Sequence, residues 1–150
     1  MKKNLFLIIV LKSIIILSFS SNLIAKKAAI VIDFDTKEVL FEVNADTRNY
    51  PASLTKMMTL YIVFDYLEKG IFKENTSLSV SKTAASRSPS KLYLEAGTKI
   101  SVKDSILALI IKSANDVATV VAENISGTER EFAKLMTKYA KDLGMNQTTF

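Results

Sequence analysis

Apolar runs at residues 5–11 and 14–19 open the chain behind Lys2 and Lys3, and the stretch closes at Leu23-Ile24-Ala25. A charged start, an apolar middle and a small residue before a polar continuation have the layout of a secretory signal over residues 1–25. Two features depart from that layout: Lys12 interrupts the apolar run, and Leu23 is larger than the residue preferred at its place before the cut. Residues 5–25 also approach the roughly 20-residue span of a bilayer, so an uncleaved anchor is the alternative. A lysine near the centre of such a span costs about 2.5–3.5 kcal/mol on insertion scales. Under either reading residues 26–150 work outside the cytoplasm.

Beyond residue 25 the pattern changes. Residues 28–33 (AAIVID) and 39–43 (VLFEV) are apolar and rich in β-branched side chains, with a polar turn at 34–38, which predicts a β-hairpin. Pro51 suits the first turn of a helix. Residues 53–67 are apolar nearly all round (Leu54, Met57, Met58, Leu60, Tyr61, Ile62, Val63, Phe64), which predicts a helix buried inside the domain. Gly70 follows its end.

Residues 77–81 alternate as a short strand, 86–91 (SRSPSK) form a polar loop, and 95–98 form a turn. Ser101-Val102-Lys103-Asp104 opens a helix as a capping box, with Ile106, Leu107, Leu109, Ile110 and Ile111 behind it. Thr128-Glu129-Arg130-Glu131 is a second capping box. Its helix carries Phe132, Leu135, Met136, Tyr139 and Leu143 on one stripe and ends at Gly144. Strands followed by a block of helices predict an α+β domain. There is no internal repeat or long linker, and Pro51 and Pro89 are the only prolines.

Composition narrows the chemistry. A chain of 150 residues has the length of one ordinary domain. The net charge is +5, but Lys2, Lys3 and Lys12 supply three of those charges, leaving +2 with mixed signs over residues 26–150. That is no footprint for nucleic acid, which requires clustered Lys and Arg on one face. The chain has no histidine and no cysteine. A Ser-His-Asp triad, a histidine zinc site and an imidazole base are therefore excluded, as are disulfides, thiol nucleophiles, iron–sulfur clusters and a lipidated N-terminal cysteine. Any chemistry must rest on Ser, Thr, Lys, Tyr, Asn or a carboxylate.

A lysine acts as a base when burial and positive neighbours hold it neutral. A serine three residues earlier on the same helix face comes within its reach. The resulting pattern, S-x-x-K, occurs three times, at Ser53–Lys56, Ser79–Lys82 and Ser88–Lys91. Ser79 sits in a strand-like alternation that points residues three apart to opposite faces. Ser88 lies in a polar loop before a proline. Only Ser53 opens a long apolar helix, whose free N–H groups and dipole favour negative charge on the serine oxygen. The plain alternative is an ordinary first-turn pair facing water. A second candidate is Ser113-Ala114-Asn115-Asp116, where a hydroxyl and an amide two apart face one cleft, or form a plain helix-terminal polar cluster. Taken together and in this order the two match the serine acyl-transfer set S-x-x-K, S-D-N and K-T-G, with S-A-N as the middle member.

These motifs and their surroundings resemble the N-terminal part of the D-alanyl-D-alanine carboxypeptidases, the low-molecular-mass penicillin-binding proteins of serine peptidase family S11. The likeness runs over residues 28–150. Tyr50-Pro51-Ala52-Ser53-Leu54-Thr55-Lys56-Met57-Met58-Thr59 is similar to the family's nucleophile segment. Lys112-Ser113-Ala114-Asn115-Asp116 is similar to its second motif, where glycine is more usual than Ala114. Tyr139-Ala140-Lys141, Leu143-Gly144-Met145 and Thr148-Thr149-Phe150 are similar to the segment that follows.

The resemblance implies a β-lactamase/transpeptidase-like serine acyl-transferase domain of α+β class, incomplete, with residues 26–150 as its N-terminal part. It implies that Ser53 attacks the bond between two terminal D-alanines of a peptidoglycan stem peptide, forming an acyl-enzyme that water hydrolyses. Lys56 would be the base, Ser113 the proton relay toward the departing D-alanine, and Asn115 the group that orients Lys56 and the substrate. The backbone N–H of Ser53 would form half of the oxyanion hole. β-Lactams would acylate Ser53 as substrate mimics. No metal or organic cofactor is implied, and the expected location is the periplasm or cell envelope, with membrane association through the N-terminal segment.

One departure is large: no K-T-G or K-S-G occurs in the 150 residues. In the family that motif binds the substrate carboxylate, and its strand supplies the other oxyanion N–H. The family's C-terminal β-domain and basic amphipathic helix are also missing. Three readings follow: a fragment or one part of a split carboxypeptidase, an exported non-catalytic remnant, or a β-lactamase of the same superfamily. The S-A-N motif and the segment at 50–59 favour the carboxypeptidase. Losing one oxyanion donor alone costs on the order of 10²–10³ in rate. The isolated chain is therefore expected to release little or no D-alanine from a pentapeptide. Measured release that disappears in Ser53→Ala would overturn that expectation.

Overall fold

The computed structural model describes residues 27–150, which divide into two units with a boundary between Tyr50 and Pro51. The predicted address segment at 1–25 lies outside the described residues. In the first unit β1 (Ala29–Ile32) pairs antiparallel with β2 (Val39–Val43), as the two β-branched runs around a polar turn predict, with a register shift between Val31 and Ile32. Asp33 organises the turn, its Oδ1 accepting from the Asp35 and Thr36 N–H groups at 3.0 and 2.7 Å. Every residue of both strands is exposed among the described residues.

The second unit contains the core. A 3₁₀ turn, Ala52–Thr55, leads into α1 (Lys56–Glu68). There follow β3 (Ser77–Ser79), α2 (Lys82–Ala85), β4 (Lys99–Ser101), α3 (Val102–Leu107), a π-helical turn (Ala108–Lys112), α4 (Asn115–Ser126) and α5 (Glu129–Asp142). β3 and β4 form an antiparallel pair with Leu78 opposite Ile100, both buried.

The hydroxyl half of both predicted capping boxes forms. Ser101 Oγ accepts from the Asp104 N–H at 3.0 Å and Thr128 Oγ1 from the Glu131 N–H at 3.1 Å. Each satisfies an N–H that the helix itself leaves without a partner.

The packing corrects one expectation. Only one stripe of α1 is buried, through Met58, Thr59, Ile62 and Val63, while its Met57, Tyr61 and Phe64, and Leu54 in the turn before it, are exposed. Among the described residues the neighbours of α1 lie on one side, contributed by α4 and α5. The helix enclosed nearly all round is instead α4, which the pattern reading above does not single out. Its Asp116, Val117, Thr119, Val120 and Val121 are all at most 1% exposed, and it touches α1, α2, β3 and α5. Apolar residues at 117, 120 and 121 carry the helical spacing, and Gly127, with φ 78°, closes the last turn by donating its N–H to Glu123 O at 2.8 Å. The helix opened by Ser101 is likewise shorter than its apolar run, because it widens into the π turn at Ala108.

The corrected burial yields a stability contrast between α1 and the turn that precedes it. Ile62→Ala, at a position with no exposure, is expected to lower unfolding stability by about 2–5 kcal/mol. Leu54→Ala, at 66% exposure, is expected to change it by no more than about 0.5 kcal/mol. Urea titrations of the two variants compare them directly.

Candidate active site

Ser53 stands in the 3₁₀ turn that precedes α1, and Lys56 is the first residue of α1. Ala52 enters the turn with φ 49°, a left-handed conformation that costs a non-glycine residue about 1–3 kcal/mol. Leu54 N–H closes the turn on Pro51 O at 3.1 Å. The Ser53 side is open to solvent, whereas Lys56 is half-buried.

Burial pushes the Lys56 ammonium below the usual lysine range, because desolvation penalises its charged form. Its place at the positive end of the α1 dipole acts in the same direction. Lys56 Nζ donates to Asn115 Oδ1 at 2.8 Å, joining positions 59 residues apart in the chain. The Lys56 N–H donates to the Ser53 carbonyl within the turn, and no hydrogen bond joins the two side chains among the described residues.

Asn115 opens α4, and its surroundings dictate which way its amide faces. Nδ2 donates to the Ser88 carbonyl at 3.0 Å, which leaves Oδ1 turned to Lys56. The Asn115 N–H donates to Ser90 O at 2.7 Å.

Ser113 lies between the π turn and α4 with φ 53° and ψ 41°, a second left-handed residue at the site. Its N–H and that of Ala114 both donate to Ala108 O, so the chain turns widely before α4 starts. The Ser113 Oγ is buried and has no hydrogen-bond partner. Ala114 is fully buried in extended backbone (φ −65°, ψ 118°), a conformation in which its methyl costs nothing relative to glycine.

Two cavities meet at Ser53 and Lys56. The larger, about 630 Å³, is also lined by Asn115, Thr59, Thr119, Arg87 and Glu129. The smaller, about 370 Å³, is bounded by Leu54, Met57, Leu60, Leu109, Ile110 and Ser113. The polar wall of the larger cavity is a linked set. Arg87 pairs with Glu129 and its Nε donates to Thr119 Oγ1 at 3.0 Å, while Thr119 Oγ1 donates to Glu129 Oε1 at 2.7 Å. All four residues singled out from the sequence, Ser53, Lys56, Ser113 and Asn115, thus border these connected spaces.

The other two S-x-x-K pairs do not bring a serine hydroxyl to a lysine amine through any hydrogen bond among the described residues. Ser79 exchanges backbone hydrogen bonds with the Asn124 amide, and Lys91 Nζ caps the Ala85 carbonyl at 3.1 Å. Three contributors were missed by sequence reasoning. The Ser88 carbonyl is a backbone group and leaves no side-chain signal. Arg87 and Glu129 are 42 positions apart with no pattern linking them. Among the described residues no three carboxylates gather as a metal site.

This arrangement pairs an accessible hydroxyl with a partly desolvated amine held by an amide oxygen, the components of serine acyl transfer without histidine. The sequence profile of family Peptidase_S11, D-alanyl-D-alanine carboxypeptidase, matches residues 17–150. The D-alanyl-D-alanine carboxypeptidase DacF of Bacillus subtilis is 41% identical over 124 residues, 83% of this chain and 32% of that protein. The solved structure of the D-alanyl-D-alanine carboxypeptidase DacD from Francisella tularensis superposes with a TM-score of 0.79 at 41% identity, over 82% of this chain and 30% of that one. Penicillin-binding protein D2 from Listeria monocytogenes, in its ampicillin-bound form, gives 0.72 at 33% identity over 82% of this chain and 49% of that one. A β-lactamase from Burkholderia vietnamiensis, at 13% identity and a TM-score of 0.62 over 77% of this chain and 43% of that one, shows the shared fold alone. The chain spans about a third of the length of the DacF and DacD relatives. With an α+β fold shared with those enzymes, it belongs to the D-alanyl-D-alanine carboxypeptidase family, serine peptidase family S11.

Proposed function

We propose that this chain supplies the nucleophile and base of a serine-type D-Ala-D-Ala carboxypeptidase acting on peptidoglycan stem peptides. The Lys56–Asn115 hydrogen bond carries the reading, because it ties the S-x-x-K and S-A-N motifs into one site around a partly desolvated amine. Neutral Lys56 takes the proton from Ser53 Oγ as that oxygen attacks the carbonyl carbon of the penultimate D-alanine. The tetrahedral intermediate collapses as the bond to the terminal D-alanine nitrogen breaks. The proton reaches that nitrogen through Ser113 Oγ, which has no competing hydrogen bond. Water then attacks the acyl-enzyme, with Lys56 again as base, and frees Ser53. Asn115 holds Lys56 and the acyl side of the substrate.

β-Lactams react by the same first step and remain on Ser53 as the opened ring. The charged and apolar layout of residues 1–25 supports export to the periplasm or cell envelope, with attachment to the inner membrane where that segment is retained.

A fluorescent penicillin tests the nucleophile: covalent labelling is expected for the native chain and absent in Ser53→Ala, and labelling that survives would rule Ser53 out. Lys56→Ala is expected to slow labelling by about 10²–10⁴-fold. Since only neutral Lys56 accepts the proton, the labelling rate should rise with pH through the Lys56 pKa, with a midpoint below the usual lysine range. A rate that does not depend on pH between 6 and 10 would assign the base elsewhere.

A further inference from the structure

The structure contains a buried carboxylate that the reaction above does not use. Asp116 has no exposure, and no ion pair among the described residues involves it. An isolated buried charge is costly unless hydrogen bonds replace its water. Here they come from main-chain N–H groups. Asp116 Oδ1 accepts from Val117 N–H at 2.9 Å and Oδ2 from Leu94 N–H at 3.2 Å, while Leu92 N–H reaches both oxygens at 3.1 and 3.0 Å. The position in the first turn of α4 adds the favourable end of the helix dipole.

Tyr93, between the two donors from the neighbouring segment, has φ 61°, so the chain curls around the carboxylate. The same segment is pinned again further back. Ser90 Oγ donates to Lys112 O at 2.6 Å, and Ser90 O and Ser88 O accept from the main chain and side chain of Asn115. Residues 88–94 are thus stitched along residues 112–116, with the charged anchor at one end and the Asn115 amide at the other.

The direction of an asparagine amide is set by the partners that its oxygen and its nitrogen each find, so an acceptor for the nitrogen on one side favours the oxygen on the other. That acceptor is the Ser88 carbonyl. We propose that Asp116 is a positioning residue: its carboxylate holds residues 88–94 against the Ser113–Asn115 turn and, through the Ser88 carbonyl, keeps the Asn115 oxygen facing Lys56. Its effect on catalysis rests on the function proposed above, whereas the orientation of the amide stands without it. With the anchor cut, the amide is free to rotate, and the Lys56 ammonium loses its acceptor.

Isotope-labelled native chain and Asp116→Asn, compared by NMR, test this without turnover. In the variant the Leu92 and Leu94 amides are expected to exchange with solvent at least 10-fold faster, with Met136 in α5 unchanged. The Lys56 side-chain titration is expected to shift to lower pH. Val120→Ala, a destabilising change in the same helix, is expected to leave the Lys56 titration in place. Should Asp116→Asn not fold, Leu92→Pro removes the donor shared by both carboxylate oxygens, keeps Asp116, and is expected to shift Lys56 in the same direction. Faster exchange with an unmoved Lys56 titration, or equal Lys56 shifts in Val120→Ala, would reduce Asp116 to a structural role and overturn the proposal. Penicillin labelling of the native chain decides the Ser53 reading separately.

Discussion

A single hydrogen bond, Lys56 Nζ to Asn115 Oδ1, holds the site together. It spans two helices, α1 and α4, and each end is prepared by a different physical effect. Lys56 is partly stripped of water, which lowers the free-energy gap between its charged and neutral forms. Asn115 is oriented by a backbone carbonyl, so that it offers an acceptor and not a donor. An amine that is desolvated but left without an acceptor would be driven out of the site or fully neutralised. One that is solvated and paired would remain an ordinary lysine. The combination leaves an amine that is easier to neutralise and still has a fixed place.

Two of the five non-glycine residues with positive φ among the described residues flank the candidate chemistry. Ala52, directly before Ser53, and Ser113 both adopt left-handed conformations that glycine would occupy without penalty. Ser113 is reached through a π turn, a rare widening of the helix that tends to occur at functional positions. Around Ser113 the neighbouring element α4 is deeply packed. α4 is enclosed by α1, α2, β3 and α5, and its Val117, Val120 and Val121 are fully buried. Ala114 illustrates the other side of the same constraint. Its backbone is extended, so the position has no conformational need for glycine, and only the space around its buried methyl limits it.

Much of the local structure was legible in advance. The hairpin follows from two β-branched runs around a polar turn. The caps at Ser101 and Thr128 follow from hydroxyl residues three positions before a carboxylate. Packing was harder to read. Residues 53–67 are apolar all round, yet Leu54, Met57, Tyr61 and Phe64 face outward among the described residues, because periodicity reports which side chains avoid water and not which neighbours are at hand. Helix α4 has a weaker apolar signal but a deeper position. Its buried polar residues, Asp116 and Thr119, interrupt the apolar pattern while being satisfied by groups far away in the chain.

The amino-acid sequence alone determined the kind of chemistry. With neither histidine nor cysteine, a base had to be a lysine, a tyrosine or a carboxylate, and among three S-x-x-K pairs only Ser53–Lys56 opened a long apolar helix. It also determined the α+β order of the elements, since strand and helix periods are properties of neighbouring residues. Tertiary structure alone decided that Lys56 meets Asn115, that the Ser88 carbonyl sets the direction of that amide, and that Asp116 anchors residues 88–94 beneath it. These are contacts between a side chain and a distant backbone group. Every residue carries the same main-chain N–H and C=O, so composition and spacing hold no record of which ones will be brought to a given side chain.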